Sequence, residues 1–151
     1  MKTILIIFNG ITLPFHVIEF AIDKAKENSA EIYALFLKGS HEPSKGYIFP
    51  SDMGIAEKRT SDAEAVKEDE AIIFQNMKMV KSMVEAEKIP YREALKTNVS
   101  LAEVANISEA TDLIVVDENL DDRSFMGDSK ISLKRLKRKI SKPIHTVPEK
   151  S

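Results

Sequence analysis

Between Thr3 and Phe8 the chain reads TILIIF, and Thr111 to Val116 reads TDLIVV. Neither run alternates apolar with polar residues. A strand with one wet face must alternate, because successive side chains point to opposite faces. Unbroken β-branched runs therefore belong to strands covered on both faces, as in a parallel sheet sandwiched between helices. This feature constrains the fold more than any other.

The segments between these runs supply the helices. Pro14 suits a first helical turn, and Phe15, Ile18, Ala21, Ile22 and Ala25 share one face at helical spacing. "EIYALFL" (Glu31–Leu37) reads as a second strand, which completes a βαβ unit. Lys38 to Gly54, with three Gly, two Pro and three Ser, reads as the longest loop, a lid or contact surface. Ser61-Asp-Ala-Glu64 has capping-box spacing and predicts a helix from there to about Glu87, ended by Pro90. Its inner stripe is Val66, Ile73, Met77, Val80 and Val84, with the methionines Met77, Met79 and Met83 read as core and flank.

"YREALKT" (Tyr91–Thr97) is a more polar strand, suited to a sheet edge. Ser100-Leu-Ala-Glu103 is a second capping box, opening a helix through about Glu109. After TDLIVV comes an acidic stretch. Asp128 or Ser129 then caps a last helix with Leu133, Leu136 and Ile140 inside, and "KPIHTVP" holds a short final strand.

The order βαβαβαβαβ predicts an α/β class. The expected architecture is a five-stranded, mostly parallel, doubly wound sheet of order 3-2-1-4-5, with helices on both faces. The 151 residues suit a single domain, residues 1–151, with no internal repeat or linker. In such a sheet a ligand binds beyond the carboxyl ends of the strands where the winding changes direction. That crevice is lined by Asn9-Gly10 after the first strand and Asp117-Glu118 after the fourth. His16 lies near it, as a crevice wall or a half-buried polar residue.

Bulk composition narrows the chemistry. Lys and Arg number 22 against 24 Asp and Glu, a net charge of −2, so no global attraction to nucleic acid or membrane is expected. There is no cysteine, which excludes disulfides, thiol nucleophiles and cysteine-ligated zinc. The opening apolar run is too short for a signal-peptide core, and the expected location is cytoplasmic. No Gly-x-Ser-x-Gly elbow is present, and the three histidines (His16, His41, His145) lack ligand-like spacing. Asp117, Asn119, Asp121 and Asp128 echo a calcium loop, but Asp122 holds the glycine position, so Asp117 and Asp121 are weak metal candidates. Lys130, Lys134, Arg135, Lys137, Arg138, Lys139 and Lys142 form a basic segment without interleaved aromatics. It is read first as a solvated helix face and second as a surface for an acidic partner.

"MKTILIIFNG", "AEVANISEATDLIVV" and "RKISKPIHTV", in that order over nearly the whole length, resemble the universal stress protein family. ATP-binding members carry G-x2-G-x9-G-[S/T] after the fourth strand. Laid on this chain without gaps, the glycine positions fall on Asp117, Leu120 and Lys130, and the hydroxyl position on Ile131; Pro143 matches the family's proline. The ATP motif is absent. The resemblance therefore implies the branch that does not bind ATP: a stress-response or regulatory protein, more a binder than an enzyme, with no cofactor. Mg²⁺-assisted nucleotide binding or hydrolysis is the alternative. A contact of Lys130 with Asp117 or Glu118 is expected to plug the vacated phosphate site. The resemblance also implies a homodimer through the last strand, at Ile144, His145, Thr146 and Val147.

Overall fold

The computed structural model describes residues 2–9, 13–38, 54–97, 99–118, 120 and 132–148, with the backbone alone for Asn9 and residues 54–69. Five strands and four helices alternate: β1 (Thr3–Asn9), α1 (Phe15–Asn28), β2 (Glu31–Lys38), α2 (Gly54–Ala86), β3 (Tyr91–Thr97), α3 (Leu101–Glu109), β4 (Leu113–Asp117), α4 (Leu133–Lys139) and β5 (Ile144–Val147). The strands form one sheet of order β3-β2-β1-β4-β5, and every neighbouring pair is parallel. Class, order and the central places of β1 and β4 are as the sequence predicts.

The unbroken runs are covered on both faces. Ile4, Ile6, Phe8, Ile32, Ala34, Phe36 and Val115 face α1 and α2, packing on Val17, Ile18, Ala21, Ile73, Val80 and Val84. Leu5, Ile7, Leu35, Ile114 and Val116 face α3 and α4, packing on Val104, Leu136 and Ile140. Phe8 and Phe36 stack at 4.7 Å between ring centroids, so the first face is filled almost to the carboxyl end of the sheet. Each fully buried Leu, Ile, Val or Phe here stabilises the fold by roughly 1.5–3 kcal/mol.

Several expectations are corrected. α2 begins at Gly54, seven residues before Ser61, so the Ser61–Glu64 box lies inside the helix. The intervening "IAEKRT" is mostly good helix-forming residues, and nothing in it breaks the backbone before the glycine. Pro14 is the N-cap of α1 and stands one place before its first turn. Phe15 is 47% exposed; the buried stripe of α1 is Val17, Ile18, Ala21, Ile22 and Ala25, which leaves Phe15 about a quarter-turn away. Met79 is exposed, whereas Met77 and Met83 pack against the core. The cap of α4 is Ser132, whose hydroxyl accepts the Arg135 N–H; Asp128 and Ser129 lie outside the described residues. So do the side chain of Val66 and residues 39–53 of the expected lid loop. Ser100 caps α3 as its box predicts, accepting the Glu103 N–H at 3.1 Å.

Candidate functional site

β1 lies between β2 and β4, so the winding reverses between β1 and β4, where the sequence places the crevice. Asn9 ends β1 and Asp117 ends β4. Asp117 stands one place beyond Val116, which pairs with Ile7, so it is level with Phe8. The alternation of β4 turns Asp117 to the same sheet face as Val115, the face covered by α1.

That orientation brings it to His16 in the first turn of α1. His16 Nε2 lies 3.1 Å from Asp117 Oδ1, and the imidazole N–H donates to the carboxylate. Asp117 is 1% exposed, while the His16 side chain keeps 16% of its surface. The first turn of α1 carries no acidic residue of its own. A carboxylate is stabilised near a helix N-terminus, where backbone N–H groups are unsatisfied. Asp117, on the sheet face that α1 covers, stands beside that first turn through its contact with His16.

The backbone after β4 is also committed. Glu118 N–H donates to Val147 O at 3.0 Å, and Leu120 N–H donates to Asp117 O at 3.0 Å. Phosphate loops work by turning such N–H groups toward the ligand. Here one secures the β5 edge and the other closes a turn. Leu120 is 1% exposed and packs into the α3/α4 core, an anchor of apolar burial where a glycine would leave bare peptide. Glu118 is exposed.

Among the expected site residues, Asp117 ends β4 and Glu118 and Leu120 follow it, with the backbone of Asn9 at the end of β1. Gly10, Asp121, Lys130 and Ile131 lie outside the described residues, and so does the expected Lys130 plug. The partner found for Asp117 is His16, which the sequence reading set near the crevice but did not pair with Asp117. The usable signal is a polar residue in the first turn of α1, level with the end of β4. Among the described residues no group of three or more His, Asp or Glu side chains could hold a metal ion.

At the neighbouring edge, Ile144 and Thr146 of β5 are half-buried, Val147 is buried, and His145 is exposed and stacks on Phe20 of α1 at 4.3 Å. No helix among the described residues is long and apolar enough to cross a membrane.

By sequence, the chain matches no protein-family model and no curated protein. By structure it is similar to a universal stress protein from Lactobacillus plantarum, with a TM-score of 0.66 at 11% identity and 97% of each chain covered. A universal stress protein from Archaeoglobus fulgidus in complex with dAMP gives 0.61 at 12% identity, again covering 97% of each. An Arabidopsis thaliana universal stress protein family protein with AMP bound gives 0.62 at 13%, covering 100% of this chain and 94% of that one. At these identities the likeness is one of architecture, and it agrees with the strand order and the two-faced core derived above: the chain has the universal stress protein fold.

Proposed function

We propose that the chain is a regulatory or protective protein of universal-stress-protein type that acts by binding a partner or small ligand and does not use ATP. The observation that carries this reading is Asp117, buried at the switch point and held by His16. A triphosphate brought there meets a like charge. Two unit charges at 4 Å with an effective dielectric near 20 repel by about 4 kcal/mol, which weakens binding by roughly three decades. The committed N–H groups of Glu118 and Leu120 act in the same direction, because a phosphate must first break their bonds. Calorimetric titration with ATP tests the reading; it predicts no heat at millimolar nucleotide without a divalent cation.

A second reading, a Mg²⁺-dependent nucleotide binder or hydrolase, draws on the fold neighbours solved with dAMP, cAMP and AMP. A divalent cation between Asp117 and a phosphate would reverse the sign of the interaction. Titration with AMP, cAMP and ATP, each with and without Mg²⁺, separates the two readings. Binding only with Mg²⁺ supports the second.

The reading includes a cytoplasmic location and a homodimer through Ile144, His145, Thr146 and Val147. β5 is an edge strand of four residues, and an edge offers unpaired backbone groups to a second strand. Sedimentation at micromolar concentration should give twice the chain mass.

A further inference from the structure

β5 presents its edge in a fixed phase. Ile114 N–H donates to Pro143 O at 2.9 Å, and Glu118 N–H donates to Val147 O at 3.0 Å. Backbone groups alternate sides along a strand. Pro143, His145 and Val147 therefore turn theirs toward β4, while Ile144 and Thr146 turn N–H and C=O to the outer edge of the sheet. Side chains alternate between the two faces in the same way. His145 pairs with Val115, shares its face with Val147, and is exposed on the side that α1 covers. Its ring stacks on Phe20 at 4.3 Å, with 14° between the planes.

We infer that β5 pairs antiparallel with β5 of a second copy so that His145 lies directly opposite the partner's His145, and that protonation of this pair loosens the dimer. This rests on the proposed β5 dimer and specifies its register and its regulation. Only residues with outward groups exchange hydrogen bonds, so a two-fold pair of these strands centres on Ile144, His145 or Thr146. Centred on Thr146, it sets Ile144 against Pro148, which has no N–H to give the Ile144 carbonyl. Centred on Ile144, it sets Thr146 against Lys142, which lies before the strand begins. Centred on His145, Ile144 of each copy exchanges bonds with Thr146 of the other, and no outward group of either residue is left over.

In that register the two His145 residues form a non-hydrogen-bonded pair, whose Cα atoms are about 4.5 Å apart and whose side chains lie closest. The imidazoles meet on the α1 face, each backed by a Phe20 ring. Neutral, they add an aromatic contact to the interface. Protonated, they are like charges directly opposite one another, which repel. Among the described residues of α1, the titratable groups around Phe20 are His16, Glu19, Asp23 and Lys24. Lys24 Nζ lies 5.7 Å from the Phe20 ring centre and 3.5 Å from Glu27, so a positive charge already stands over the stack. On β4, the titratable group of this face is Asp117, which holds His16.

The chain has no cysteine, so one introduced thiol reports the register. His145→Cys should oxidise to a covalent dimer, because Cα atoms at this spacing suit a disulfide. Thr146→Cys should not, since it lies two residues out of register with its own copy, about 8 Å away. Both variants, reduced, should melt like the parent. Sedimentation of the parent should show a dimer at pH 7.5 whose dissociation constant rises about fivefold at pH 5. His145→Phe keeps the ring stack, cannot be charged, and should dimerise equally at both pH values. A parent that is monomeric at pH 7.5 removes the dimer reading and this inference with it. A dimer that fails to cross-link through His145→Cys, that is indifferent to acid, or whose acid loss persists in His145→Phe overturns this inference alone.

Discussion

Two aspartates bracket β4, and they do different work. Asp112 precedes the strand at its amino end, where its Oδ2 accepts the backbone N–H groups of Lys2 and Thr3 at 2.8 and 2.9 Å. These bonds hold its carboxyl below the usual carboxylate range. It clamps the start of β1 to the start of β4 from an exposed position. Asp117 ends the strand, enclosed by protein, against an imidazole 101 residues away in sequence. The exposed clamp can be exchanged for another acceptor at little cost. The buried carboxylate has lost its water and must be met by protein groups. The amino end of the sheet is tied by an exposed clamp; the carboxyl end carries the buried pair of the proposed crevice.

The difference can be sharpened by substitution. Leu120→Ala removes the anchor beside Asp117 and should cost about 3 kcal/mol in urea unfolding, the largest single effect expected here. Asp117→Ala should cost about 2 kcal/mol, because it removes a buried hydrogen-bond partner. In a double-mutant cycle with His16→Ala, the two losses should fall short of additivity by about 1 kcal/mol. Strict additivity would mean that the pair does not act as a unit. Asp112→Asn should be mildest, lowering the melting temperature by on the order of one or two degrees at neutral pH. Its pH dependence has a definite sign. A carboxyl depressed in the folded state contributes stability above its ordinary value near 4, and loses it as pH falls through the folded value. The melting curves of the parent and of Asp112→Asn should therefore converge in acid. A gap that widens below pH 4 would contradict the clamp.

Much of this molecule is legible in the sequence because much of it is local. TILIIF and TDLIVV announce two-sided burial, and Ser100-Leu-Ala-Glu103 announces a helix start, each within a few residues. From the strand order the place of the expected crevice follows, with Asp117 and Glu118 beside it. The Ser61–Glu64 spacing misled because a capping box is recognised by residue type, and the same types are tolerated inside a long helix. The contact between His16 and Asp117 was out of reach for another reason. It depends on the face to which β4 turns its last residue and on where α1 crosses β1, neither of which periodicity within one element encodes.

The account rests on the closed character of the crevice toward phosphate, and Asp117→Asn addresses it with little change in shape. Calorimetric titration of the parent and of this variant with ATP, in chelator to remove divalent cations, is the most direct measurement. The account predicts no binding to the parent at millimolar ATP and a measurable gain in the variant. Micromolar binding to the parent without a cation, unchanged in the variant, would contradict it.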